Sequence, residues 1–143
     1  MTSIKAAIHH FNKDNLEEIL GGIKKHLVGS GKLVVQKSSA DTWDHLPYPQ
    51  IVCNAKREED YPSEMLKELM LGVGFKNVEL HTHRFPIKIS KVNLFEGFRQ
   101  RDISILATLD DQQIEDGIQE VDSRYPGNNV NFTTNRDVIV ATL

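Results

Sequence analysis

The chain has 143 residues, 39% of them hydrophobic and 26% charged, a balance that suits one soluble globular domain able to bury about two-thirds of its unfolded surface. A net charge of -3 gives no general attraction to nucleic acid or anionic membranes, and no apolar run approaches the roughly 20 residues that span a bilayer. The lone cysteine, Cys53, excludes an internal disulfide, and the first residues lack the basic start and apolar core of a signal peptide, so cytoplasmic is the expected location.

The run Ile4 to Ile8 reads as a short strand ending at His9, His10 and Phe11. Asp14 with Glu17 makes a capping-box-like start, after which Leu16, Ile19, Leu20, Ile23 and Leu27 fall on one helical face. Gly29-Ser30-Gly31 stops that helix, and Lys32 to Gln36 reads as a buried strand. Strand, helix, turn and strand in this order predict a right-handed crossover between parallel strands. Residues 37–61 are polar and hold Trp43, Pro47, Tyr48 and Pro49; they read as a long loop of the kind that is a lid, a binding loop or a disordered segment.

Pro62-Ser63-Glu64 opens a second helix with Met65, Leu66, Leu69, Met70 and Val73 as its apolar stripe and Gly74 near its end. Asn77 to Phe85 alternates polar and apolar residues, the pattern of a half-buried strand. Ser90 caps a stretch carrying Leu94, Phe95 and Phe98, and Asp110 caps another with Ile114, Ile118, Val121 and Tyr125 on one face. The turn Pro126-Gly127-Asn128-Asn129 leads to a last strand over Asp137 to Thr142. With no repeat and no linker, residues 1–143 read as a single α/β domain.

Chemistry-bearing residues fall in four places. His9 and His10 follow the first strand at its carboxyl end, where open α/β sheets bind ligands, and either can serve as a general base or as a polar wall; a strand-end histidine bonded to its loop is the alternative. Trp43, His45 and Tyr48 can cover a substrate pocket or anchor their loop on the surface. Arg99 can take an anionic substrate through its forked guanidinium or sit solvated at a helix end. His81 and His83 share a strand face, but no third ligand is specified and no metal site is assigned; Cys53 has no activating partner and reads as an inert thiol.

The order of these segments resembles the carboxy-terminal half of a class I methyltransferase, the family that uses S-adenosylmethionine. Three stretches carry the resemblance: Ala7-Ile8-His9-His10-Phe11 with Asp14-Asn15-Leu16 and the helix to Leu27; Val28-Gly29-Ser30-Gly31-Lys32-Leu33-Val34-Val35, similar to the family's L-x-P-G-G-x-L passage into a strand; and Gly72-Val73-Gly74-Phe75-Lys76-Asn77-Val78-Glu79, similar to its G-F-x-x-V passage. The resemblance implies a partial Rossmann-like methyltransferase fold. Its mixed sheet has about four strands, equivalent to the family's fourth to seventh, with the last antiparallel, helices packed on it, and residues 88–129 as a substrate-side insertion.

The family holds its donor on a glycine-rich loop after the first strand and an acidic residue after the second. No G-x-G-x-x-G occurs in this sequence, so no residue is assigned to cofactor binding. The expectation is that the chain alone binds S-adenosylmethionine weakly or not at all and does not catalyse as an isolated monomer. Its first strand is then expected to pair by its free edge with a second copy, as a homodimer, or with a separate subunit. A small-molecule substrate fits this reading; nucleic acid and membrane are not expected partners. Two alternatives stay open: the substrate-side subunit of a split methyltransferase, and a small α/β ligand-binding or interaction module.

Overall fold

In the computed structural model, which describes residues 1–5 and 7–143, four strands form one mixed sheet in the order β1 (Thr2–Lys5), β2 (Lys32–Ser38), β4 (Asn129–Thr142), β3 (Asn77–Ser90). The described residues fall into two units, each built around its own apolar cluster.

The first unit comprises Met1–Ala40, Asp60–Arg84 and Asn135–Leu143. β1 and β2 run parallel, from Thr2 opposite Leu33 to Lys5 opposite Gln36, and α1 (Leu16–His26) is the crossover between them. β4 lies antiparallel to β2, from Lys32 opposite Thr142 to Ser38 opposite Arg136, so the final strand has the direction that the family resemblance implies. Alternation along β2 and β4 sends Leu33, Val35, Ile139 and Ala141 into a core closed by Leu16 and Leu20 of α1 and by Leu66 and Met70 of α3 (Ser63–Gly72). The opposite side of the same strands carries Val34, Val138 and Val140, which remain half-buried outside that cluster.

Local chemistry explains where these elements begin and end. The first strand is described over Thr2–Lys5, and Ala6 of the expected run lies outside the described residues; Ile8–His10 winds into a 3-10 turn where the sequence pattern expected strand at Ile8. A second 3-10 turn, Lys13–Asn15, precedes α1, held by the Asn12 side chain accepting from the Asp14 amide at 3.0 Å. Acidic Glu17 and Glu18 in the first turn of α1 and Lys24, Lys25 and His26 in its last complement the helix dipole. After α3, Gly74 takes φ +94, a conformation that costs glycine little, and turns the chain so that Phe75 is buried.

The second unit comprises Asp41–Glu59 and Phe85–Thr134. Residues 37–61 are not one irregular loop: β2 continues to Ser38, Ala40–Asp44 forms a 3-10 turn, and α2 (Gln50–Glu59) follows. The buried face of α2 is Val52, Cys53 and Lys56, too sparse and too polar to stand out as an apolar stripe. α4 (Lys91–Arg99) starts where Ser90 accepts from the Asn93 amide, and α5 (Asp111–Arg124) where Asp110 and Gln113 close a reciprocal capping box. Leu94 and Phe98 of α4 pack with Ile114, Ile118 and Val121 of α5 in the second cluster. β4 begins at Asn129, directly after the turn at Gly127 (φ +83), well ahead of the expected Asp137; β3 likewise runs past Phe85 to Ser90. Among the described residues no helix is long and apolar enough to cross a membrane.

Candidate functional site

Parallel pairing brings two chain segments to the same edge of the sheet in the first unit. Since Lys5 faces Gln36, the histidine turn after β1 and Lys37-Ser38-Ser39 at the end of β2 both leave from the carboxyl ends of the parallel strands. In the turn, Ile8 is buried as an anchor, His9 is half-buried and His10 is exposed. Their rings lie 4.0 Å apart between centroids. Two backbone bonds close the turn, from His10 N–H to the Ala7 carbonyl at 3.0 Å and from Phe11 N–H to the Ile8 carbonyl at 3.1 Å.

The same unit holds a buried polar network. Asp137 on β4 is only 4% exposed, yet its carboxylate accepts from Ser39 Oγ and Thr82 Oγ1 at 2.7 Å each and from Ser63 Oγ at 2.6 Å. Burial alone raises such a carboxyl; the three hydroxyl donors and Lys37 outweigh it and hold Asp137 below the ordinary carboxylate value. Lys37 Nζ, 2% exposed as a residue, donates to the Ser38 carbonyl at 2.7 Å and to Asp60 Oδ2 at 3.0 Å, and reaches Ser63 Oγ at 3.5 Å. Asp60 Oδ1 in turn accepts from the Tyr61 amide at 2.9 Å. The buried Tyr61 hydroxyl donates to the Phe11 carbonyl at 2.5 Å, and Lys13 Nζ sits 5.3 Å from its ring centroid.

The second unit holds the remaining candidates. Trp43 and Tyr48 have ring centroids 6.4 Å apart, and Tyr48 stacks on Phe98 at 5.4 Å, so Tyr48 packs against the apolar cluster of that unit. The Trp43 indole N–H is buried and has no hydrogen-bond partner among the described residues. His45 is exposed at the end of the 3-10 turn, its amide donating to the Thr42 carbonyl. Arg99 is held by both oxygens of Glu115, at 2.8 and 3.1 Å, on an exposed face. An anion taking the forked Nε and Nη2 contact has to displace Glu115. Cys53 is buried, and burial pushes its thiol up, the opposite of activation. A shallow groove in this unit, lined by Pro86, Ile87, Lys88, Asn131, Phe132 and Thr133, contains none of the candidate residues.

His81 Nε2 lies 3.2 Å from Glu79 Oε2 on β3, but among the described residues no three His, Cys, Asp or Glu side chains converge as a metal site. The Asp137 network escaped the sequence reading. Its signal is parity: Lys37 continues the inward phase of Leu33 and Val35, and Asp137 starts the inward phase of Ile139 and Ala141, so both charges stand where alternation demands apolar residues.

Comparison with solved structures fits this topology. A Bacillus halodurans protein assigned as a methyltransferase superposes with a TM-score of 0.54 at 16% identity, over 98% of this chain and 67% of its own. The chain has a methyltransferase-like fold. An S-adenosylmethionine-dependent methyltransferase from Archaeoglobus fulgidus gives 0.53 at 12% identity, over 99% of this chain and 57% of its own. This methyltransferase-like chain therefore spans between 57% and 67% of these two proteins, and at such identities the likeness is one of fold. No family description and no curated protein matches it.

Proposed function

We propose that this chain provides the acceptor side of an S-adenosylmethionine-dependent methyl-transfer site, with His9 and His10 facing the transferred group. The donor side is a glycine-rich strand-loop-helix that docks beside β1, from another segment or a second subunit. The observation that carries the reading is the edge position of β1 in the sheet order β1-β2-β4-β3 of the described residues, with the histidine turn following that strand's carboxyl end. The segment between β1 and α1, Ala7 to Asn15, contains no glycine, so it lacks the flexible backbone that a nucleotide's close approach uses. Trp43, His45, Tyr48 and Arg99 remain substrate-side candidates in the second unit.

A titration of S-adenosylmethionine into the isotope-labelled chain, followed by amide NMR, tests this. The expected outcome is weak saturation, with a Kd of about 1 mM or higher, corresponding to about 4 kcal/mol or less, and shifts confined to Ile8–Asn12 and Ser38–Ala40. Binding a hundredfold tighter places a donor site within the chain and refutes the division; shifts at residues outside these two segments refute the acceptor role.

A further inference from the structure

We infer that Tyr61 is the positioning residue of the histidine turn, fixing where His9 and His10 stand at the carboxyl end of β1. The inference deepens the acceptor-side reading and rests on it for its functional meaning, but its physical content is independent of any methyl donor.

Ile8–His10 is a single 3-10 turn with two backbone bonds; the buried Ile8 anchors its start, but neither bond fixes the chain beyond the histidine pair. The donation of the Tyr61 hydroxyl to the Phe11 carbonyl, at 2.5 Å, ties the turn to a distant part of the chain. Tyr61 is only 2% exposed, so water competes poorly for that bond, and burial, with Asp14, holds its phenol above the ordinary value, keeping it a donor across the working pH range.

Tyr61 is itself anchored. Its amide donates to Asp60 Oδ1, Asp60 Oδ2 accepts from Lys37, and Lys37 reaches Ser63, which donates to Asp137. A buried charged network in the sheet therefore ends on the one carbonyl that follows the histidine pair. Apolar packing alone would have anchored Ile8 equally well; the polar chain adds direction, because a hydrogen bond fixes orientation as well as distance.

Tyr61→Phe removes the hydroxyl while keeping the ring and its contact with Lys13. The expected result is amide exchange at His10 and Phe11 faster by at least about tenfold, with Leu33 and Val35 in β2 unchanged, since only a local opening is made easier. The imidazole proton signals of His9 and His10, assigned with His9→Gln and His10→Gln, are expected to collapse toward those of a flexible peptide. Unchanged exchange and unchanged imidazole signals overturn the inference, as does acceleration that extends equally to β2. If Tyr61→Phe does not fold, the wild type decides the matter: exchange at His10 and Phe11 as fast as in a flexible peptide, with Leu33 and Val35 protected, overturns the inference. These measurements contain no S-adenosylmethionine, so their failure is distinct from failure of the titration above.

Discussion

Asp137 and Lys37 set the terms at the scale of single residues. A carboxylate at 4% exposure is tolerable only because three hydroxyls and an ammonium compensate its lost hydration, and each donor would itself be left unpaired if the carboxylate were removed. Asp137→Asn keeps the shape but replaces one acceptor oxygen by a donor facing hydroxyls that already donate. The expected loss is about 2–4 kcal/mol, measured by denaturant unfolding; a change below about 0.5 kcal/mol would mean that the network contributes little. The pH dependence has a definite sign. With its folded value below the unfolded one, Asp137 contributes stability that is complete above the ordinary carboxylate range and is lost as pH falls through the folded value. The wild type is therefore expected to lose more stability than Asp137→Asn on acidification below about pH 4.

Two glycines inside helices separate intrinsic propensity from packing at the scale of elements. Gly22, within α1, has nothing within 4 Å of where a Cβ would stand, so Gly22→Ala is expected to stabilise by about 0.5–1 kcal/mol. Gly117, within α5, meets Pro49 Cγ at 2.5 Å, and Gly117→Ala is expected to destabilise by about 1–3 kcal/mol despite the same propensity gain. Thermal melts of the pair check both; a stabilising Gly117→Ala would mean that Pro49 yields freely. The same division explains what the sequence made visible. α4 and α5 were legible because caps and a dense apolar stripe agree, as at Ser90 and at Asp110 with Gln113, whereas α1 and α3 were legible from the stripe alone: neither has a side-chain N-cap bond, and Asp14, expected to cap α1, instead donates its amide to Asn12. α2 was not, because its inward face includes Lys56, bonded to Glu59 and Ser104, and a paired charge carries no hydrophobic signal. The first half of β4, Asn129 to Asn135, is mostly polar, so its strand depends on pairing that periodicity cannot report. His9 and His10 were placed by chain order alone; Tyr61, buried fifty positions away from its Phe11 partner, was not, since only tertiary structure joins them.

For the whole molecule, the question is what the free edge and the valine side of the sheet do together. β1 offers four residues, enough for about four main-chain hydrogen bonds at roughly 0.5–1.5 kcal/mol net each. That sum only matches the lower part of the roughly 4–15 kcal/mol that association costs in lost freedom, so edge pairing by itself does not make a stable complex. Val34, Val138 and Val140 supply what the edge lacks. They stand opposite the packed core in adjoining registers, Val34 facing Val140, on a strand type that doubly wound sheets cover on both sides. We therefore expect the chain to self-associate at micromolar concentrations through β1 and this side, when no donor-side segment occupies it. Val34→Lys is the discriminating variant. A lysine stem covers much of the surface that valine covered while its head reaches water, so the isolated fold is expected to lose less than about 1 kcal/mol. The same charge buried without a partner in an interface costs several kcal/mol and should abolish association. Light scattering over about 5–500 µM, a hundredfold span equal to about 2.7 kcal/mol, then reads a dimer for the wild type and a monomer for Val34→Lys at equal melting temperature. A wild type that stays monomeric throughout removes the homodimer and leaves a separate donor-side segment as the occupant; a Val34→Lys dimer places the interface elsewhere on the chain.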